Sequence, residues 1–196
     1  MLLGYLILGH LLGDFIFQPN KLVLWKMRSK MGTLVHAGIH FILNLLILLP
    51  FIINGYIWPI GAAFGLSFAH FWLDQAKINY ELKHDKKVLP FLIDQLLHLL
   101  AILLIYFFLQ NLTLALPTGD FYTIYTDIRL IIFISFLILS TTVVEIYFFQ
   151  RKREKNHSAI FKMNPKGILI RITVVALIYA LFMILSFYAR GNHWDW

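Results

Sequence analysis

The sequence contains no cysteine, which excludes disulfide bonds, thiolate metal ligands and cysteine nucleophiles. Charged residues are also scarce, at 14% of 196 residues, whereas 60% are hydrophobic and the mean hydropathy is +0.75. A soluble domain of this length would not carry such a balance. We therefore expect a single transmembrane domain over residues 1–196, embedded in the lipid bilayer.

Apolar runs of roughly 20 residues are long enough to span a bilayer, and six of them predict an all-α integral membrane protein. The expected spans are 1–18, 32–53, 57–77, 88–110, 128–149 and 168–189. The first run, MLLGYLILG, lacks a basic start and a cleavage site, so we expect it to be retained rather than removed as a signal peptide. Residues 1–110 are the motif-bearing four-helix core, and residues 111–196 add an outer loop and helices 5 and 6.

Basic residues occur only in alternate connections between these spans, namely the first, third and fifth. Because positively charged loops stay in the cytoplasm, both termini are expected to be extracytoplasmic. The net charge of +7 then reflects membrane topology, and no nucleic-acid partner is expected.

Four of the predicted spans carry two ionisable residues spaced four apart, so both side chains project from one helix face. Such residues are costly inside a bilayer and indicate function. The pairs are His10 and Asp14, His36 and His40, His70 and Asp74, and Asp94 and His98.

The order within the pairs predicts a single site with two layers. Spans 1 and 3 read histidine then aspartate, whereas span 4 runs in the opposite direction and reads aspartate then histidine. All three carboxylates therefore lie nearer the cytoplasm. The expected shallow layer is Asp14, His36, Asp74 and Asp94, and the expected deep layer is His10, His40, His70 and His98.

The motifs also suggest an internal repeat, because "GHLLGD" followed by "HAGIH" parallels "AHFWLD" followed by "DQLLH". Two hairpins of the same orientation would be related by an axis along the membrane normal. We therefore expect helices 1–4 to form a pseudo-repeated four-helix core.

Imidazole and carboxylate groups without thiolates suit zinc first, and also manganese or iron. Eight ligands are more than one tetrahedral ion can coordinate, and they are enough for two ions. One or two divalent ions are therefore expected. The alternative is a set of His–Asp hydrogen bonds that only join helices. Asp14 and Asp94 are the catalytic candidates.

Further polar residues accompany the pairs. Those expected to support the ligands are Gln18, Asn44, Gln75 and Gln95. Lys77 either reaches the membrane interface or binds a substrate phosphate. Glu145 is either a late ligand or general base, or an interfacial partner of Arg151 or Lys152.

At "GHLLGDFIFQP", "HAGIH", "HFWLDQAK" and "FLIDQLLH" the chain resembles a family of bacterial multi-pass membrane proteins, domain of unknown function 3307. The resemblance covers roughly residues 1–110. The family is distantly similar to inner-membrane proteins classed as metal-dependent hydrolases, which also carry intramembrane histidine and aspartate. The resemblance therefore implies the bacterial inner membrane and a metal-dependent hydrolase.

We expect hydrolysis of a lipid or phosphorylated membrane substrate at the cytoplasmic leaflet, with water as the nucleophile, because no G-x-S-x-G motif occurs. One alternative is transport of a divalent cation or of protons along the polar residues. The other is a redox protein holding a di-iron centre or haem.

Overall fold

The computed structural model describes residues 1–112, 115–156 and 158–189, and this part of the chain contains helices but no strand. In chain order the elements are α1 (Leu2–Phe15), α2 (Asn20–Arg28), α3 (Lys30–Ile47), α4 (Leu49–Ile53), α5 (Trp58–Glu81), α6 (Val88–Leu109), α7 (Asp120–Thr126), α8 (Ile128–Ile138), a π-helical segment (Leu139–Val143), α9 (Val144–Lys155) and α10 (Pro165–Ala189).

Helices occupy all six positions predicted as spans, but they differ in how well they would cross a membrane. Four are long and apolar enough, namely α3, α6, the continuous helix Ile128–Lys155, and α10. A fifth is added if α1 and α2, which are bent by 84° at their junction, count as one span. Helix α5 has 24 residues but falls short in hydropathy, because it carries the polar residues of "HFWLDQAK". The chain is thus compatible with a multi-pass membrane protein, and the number six stays a prediction.

Two prolines account for breaks that the predicted spans did not include. Helix α1 ends at Phe15, four residues before Pro19, and the chain turns there into α2. The predicted second span divides after Ile47, because Pro50 has no N–H to donate within a continuous helix. The predicted outer loop 111–127 also contains a short helix, α7.

The centre of the fold is a closed ring of four helices, in which α1 packs on α3, α3 on α5, α5 on α6, and α6 on α1. This is the predicted four-helix core. The first hairpin contains the extra helix α2 between α1 and α3, whereas residues 82–87 join α5 to α6 directly. The predicted internal repeat stays a prediction.

One end of the ring is closed by an apolar plug. Leu6, Leu48 and Phe51 are fully buried there. Tyr5 stacks on Tyr125 of α7 with ring centroids 4.7 Å apart, and its hydroxyl donates to the Tyr125 carbonyl over 2.5 Å. We call the opposite end, formed by residues 16–30, 82–87, 151–156 and 158–164, the basic end.

The remaining helices cover the ring from outside. Helix α8 packs on α1, and α9 packs on α6. The main neighbours of α10 are α8 and the π-helical segment, and most of its side chains are exposed. In a membrane these exposed apolar side chains would contact lipid tails.

Helix α2 lies against α3 at the basic end, where the two backbones approach closely at Gly32. A Cβ atom on Gly32 would lie 2.6 Å from the Lys26 backbone nitrogen and 2.6 Å from the Trp25 carbonyl carbon. Only glycine allows this approach, since no side-chain movement relieves a clash with backbone.

We expect Gly32→Ala to displace α2 and to lower stability by about 1–3 kcal/mol, the usual cost of overpacking. Gly38→Ala in the same helix is the matched control, because a Cβ there meets no atom within 4 Å. That variant should be as stable as the parent or slightly more so, since alanine favours helix. Thermal unfolding in neutral detergent measures both, and equal melting temperatures for the two variants would contradict the docked position of α2.

Candidate metal centre

The structure brings together all eight residues of the predicted layers inside the four-helix ring. Six of them are no more than 3% exposed, Asp14 is 9% exposed, and the His10 side chain is 11% exposed. Each of the four ring helices contributes its i,i+4 pair, so the pairs face a common interior as their spacing predicts. The four deep histidines line a common cavity, whereas the division into a shallow and a deep layer stays a prediction.

The carboxylate of Asp14 lies at the centre of the cluster. Its Oδ1 atom is 3.0 Å from His36 Nε2, 3.1 Å from His40 Nε2 and 3.4 Å from His70 Nε2. One carboxylate oxygen has about two acceptor sites, so three imidazole nitrogens exceed its capacity. His70 Nε2 accordingly has no hydrogen-bond partner within the described part of the chain.

The four deep histidines surround a small cavity of about 20 Å³. It is lined by His10, His40, Asn44, His70 and His98, with Leu6, Leu66, Ala101 and Ile102 completing its wall. A volume of roughly 10–15 Å³ suffices for one water molecule, so the cavity is large enough for a single small species.

His98 presents a free lone pair in this region. Its Nδ1 lies 2.8 Å from the Asp94 backbone carbonyl, which can only accept, so Nδ1 carries the proton. In the neutral ring Nε2 is then unprotonated. That atom is buried, and no hydrogen-bond partner reaches it from the described residues.

Two lysines neutralise the other carboxylates. Lys26 of α2 forms an ion pair with Asp74, and Lys77 donates to Asp94 Oδ2 over 2.8 Å. The second oxygen of Asp94, Oδ1, is buried and accepts no hydrogen bond from any described residue. Asp14 therefore differs from Asp74 and Asp94 in having histidines, rather than an ammonium group, around it.

Gln95 connects residues of the cluster on α1 and α6. Its amide nitrogen donates to Asp94 Oδ2 over 3.1 Å and reaches Asp14 Oδ2 over 3.4 Å. Its amide oxygen accepts from His10 Nε2 over 3.2 Å. Gln95 thus contacts both residues of the α1 pair as well as Asp94, and its support of metal ligands stays a prediction.

The other three predicted amides, Gln18, Asn44 and Gln75, each have a different kind of partner. Gln18 Nε2 lies 2.7 Å from His36 Nε2, whereas Asn44 donates to the His40 backbone carbonyl over 2.8 Å and leaves its own buried carbonyl oxygen unpaired among the described residues. Gln75 donates to Thr33 Oγ1 over 2.5 Å and so joins α5 to α3.

The structure does not bring Glu145 to the cluster. Its Oε2 accepts from the Asn164 backbone N–H over 3.0 Å, and its Oε1 pairs with Arg171. Its ionic partner is thus Arg171 of α10 rather than the expected Arg151 or Lys152, and this ion pair joins α9 to α10.

Sequence reasoning missed Lys26 and Thr33, both buried. Thr33 gives little sequence signal, because threonine also occurs in the fifth and sixth predicted spans, which carry no motif pair. Lys26 gives a weak one: Leu22 and Lys26 are four residues apart and are the buried face of α2. Such an amphipathic stretch usually lies at an interface, and its lysine normally points to water.

The ligand atoms of the cluster fall into three overlapping groups, within each of which all the atoms lie within 4.8 Å of one another. The groups are His10, Asp14, His40 and His70; His36, His70 and Asp74; and Asp74, Asp94 and His98. Donor atoms around a tetrahedral zinc lie about 3.3 Å apart, given bonds of roughly 2.0–2.1 Å. The distances of 3.0–3.4 Å around Asp14 Oδ1 match this spacing.

A larger cleft of about 540 Å³ connects the cluster to the basic end. Its polar floor contains Asp14, Gln18, Lys26, Asp74, Lys77 and Gln95. Its walls come from α2, α5, α6 and α9 and from residues 161 and 163. The π-helical segment contributes Thr142, in keeping with the frequent occurrence of π-helix at functional sites.

Comparison with curated proteins finds no match, and comparison with solved structures finds none either. A family model does match: it covers residues 2–127, which include all four motif pairs and the whole four-helix ring. This match extends beyond the range 1–110 on which the sequence resemblance depends. The chain therefore belongs to the family described as Protein of unknown function (DUF3307).

Proposed function

We propose that the protein is a membrane-embedded, metal-dependent hydrolase that acts on a lipid or phosphorylated membrane substrate. The observation that carries this proposal is the crowding of three imidazole nitrogens around Asp14 Oδ1, with His70 Nε2 left without a hydrogen bond among the described residues. Leaving a buried polar atom unpaired costs about 1–3 kcal/mol. A cation held between these atoms would remove that cost.

In this proposal Asp14, His40 and His70 hold one divalent ion. Three protein ligands leave a coordination position for water, which distinguishes catalytic from structural zinc sites. His10 is fixed beside the ion by Gln95, and His98 lines the same small cavity. The donor set contains no thiolate and suits zinc, with manganese or iron as the alternatives.

The lysines favour one ion over two. Both remaining ligand groups include Asp74, whose carboxylate is already paired with Lys26, and one of them also includes Asp94, which binds Lys77. A second dication would bring two more positive charges next to these ammonium groups, which is unfavourable in a low-dielectric interior.

When bound, such an ion lowers the pKa of a coordinated water and polarises the bond to be cleaved. We assign the role of proton acceptor to Asp94, because its Oδ1 accepts no hydrogen bond from the described residues while its Oδ2 is held by Lys77 and Gln95. Asp14 serves as a ligand. The catalytic pair expected from the sequence is thus divided into two roles.

We further propose six spans, with α5 as the polar one, and the basic end on the cytoplasmic side of a bacterial inner membrane. The loops at this end carry the lysines and arginines that remain in the cytoplasm. The cleft opens toward the same end, so a substrate would enter from the inner leaflet. The apolar plug of Leu6, Leu48 and Phe51 argues against transport, which needs a polar path on both sides.

Metal content provides the first test. Protein purified without chelators and supplied with zinc should hold about one equivalent, and Asp14→Asn or His40→Ala should weaken zinc binding by at least about 100-fold, more than the loss of a supporting residue. The matched control is His84→Ala, because His84 is exposed and contacts Tyr80 rather than the cluster. Mass spectrometry of the bound metal measures all four proteins. Zinc binding that is equally strong in Asp14→Asn and the parent would exclude the centre.

The second test separates catalysis from metal binding. Asp94→Asn should retain about one equivalent of zinc yet lower kcat by roughly 10²–10⁴-fold, the usual contribution of a proton acceptor. The assay follows which species of a total phospholipid extract is consumed in mixed micelles. Gln110→Glu, at the exposed C-terminal end of α6, is the control and should keep full turnover. An unchanged kcat in Asp94→Asn would remove Asp94 from the mechanism.

A further inference from the structure

The cleft at the basic end combines a polar floor with apolar walls. Its volume of about 540 Å³ lies within the roughly 300–1,000 Å³ typical of small-molecule sites. Above the floor the walls are mainly hydrophobic, and they are formed by Val23, Met27, Ile78, Phe91, Ile146, Phe149, Phe161 and Met163. This arrangement fits an amphiphile whose polar group reaches the cluster.

The charge of the floor limits which polar group fits. Of the charged residues that line the floor, Asp74 is paired with Lys26, and Lys77 is paired with Asp94, which lies just outside the lining. The Asp14 carboxylate is therefore the one without an ammonium partner among the described residues. At the rim, Arg153 and Glu81 lie 3.7 Å apart and balance each other. The floor without metal therefore repels an anion.

A divalent ion at Asp14 reverses this sign and leaves the floor with one positive charge. Net charge is costly in a buried site, so the occupied centre would favour a ligand with one negative charge. Building on the proposed metal centre, we infer that the cleft binds the phosphodiester headgroup of an anionic membrane lipid, and that lipid and metal bind cooperatively.

The walls favour a lipid over a soluble phosphodiester. The cleft is bordered by α2, whose outer side chains Val23, Leu24 and Trp25 are exposed apolar groups. An amphipathic helix of this kind lies in the membrane interface. The first methylene groups of an acyl chain can therefore contact the cleft wall while the rest of the chain stays in the bilayer.

The test of this inference is the zinc affinity of metal-depleted protein in neutral detergent. This affinity is measured by competition with a chelating dye. Short-chain phosphatidylglycerol should tighten zinc binding by about 5- to 150-fold, the usual range of a coupling between two sites. Zwitterionic short-chain phosphatidylcholine and glycerophosphoglycerol, the same headgroup without acyl chains, should change it less than about twofold by the same coupling argument.

Two lysine variants identify the place where the lipid acts. Lys77→Gln removes one positive charge from the floor and should abolish the coupling, whereas Lys83→Gln, an exposed lysine outside the cleft, should preserve it. If Lys77→Gln does not fold, Val23→Glu introduces a negative charge on the exposed cleft wall and should also abolish the coupling.

The outcomes separate this inference from the metal centre. Protein that binds no zinc under any condition would refute the proposed function itself. Stoichiometric zinc whose affinity is the same with and without phosphatidylglycerol would refute only the lipid inference. An equal effect of glycerophosphoglycerol would replace the lipid with a soluble phosphodiester, and equal loss in Lys83→Gln would assign the coupling to general surface charge.

Discussion

The structure depends on the neutralisation of three carboxylates inside an apolar helix ring. The residues Asp14, Asp74 and Asp94 are at most 9% exposed, and uncompensated charge in such an environment is strongly unfavourable. Two of them are neutralised by lysines from different places in the chain, one from α2 and one from α5. The third, Asp14, is surrounded by the imidazoles of His36, His40 and His70 and has no ammonium partner among the described residues. This asymmetry is the reason to place a cation at Asp14.

Much of the cluster could be predicted from the sequence, because the periodicity of a helix decides which residues share a face. Four pairs at i,i+4 spacing, with their order reversed in Asp94 and His98, leave few arrangements other than a shared interior. The position of Lys26 could not be predicted in this way. It depends on an 84° bend after α1, and the sequence around Pro19 indicates a break without giving the direction of the chain beyond it.

Glu145 and α5 illustrate two other limits of local patterns. The partner of Glu145 is Arg171, 26 residues away, so a search among neighbouring basic residues finds the wrong one. Helix α5 is a complete helix of 24 residues, yet its hydropathy alone does not identify it as a span. In both cases the contacts that matter join different helices: Glu145 pairs with Arg171, and the charged residues of α5 pair with Lys26 and Asp94. The sequence of one segment alone does not reveal such contacts.

The ring has one end closed by aromatic and aliphatic side chains and the other open to a cleft. Tyr5, stacked on Tyr125, joins α1 to the outer helix α7 and helps to close the first end. At the second end, Arg153 and Glu154 of α9 contact Glu81 and the Lys87 backbone, which ties the outer helix to the loop joining α5 and α6. A rigid closed half and an open polar half suit a chemical site that is reached from one side.

The polarity of α5 also has a consequence for biogenesis. An aspartate or lysine raises the cost of releasing a helix into lipid, by about 2.5–3.5 kcal/mol at the helix centre and by less toward its ends. Helix α5 contains both Asp74 and Lys77 in its C-terminal third. Their partners, Lys26 and Asp94, belong to the segments synthesised before and after α5. If α5 is a span, its insertion is therefore favoured when it leaves the translocon together with the segments that carry Lys26 and Asp94, so that the ion pairs form as the helices enter lipid.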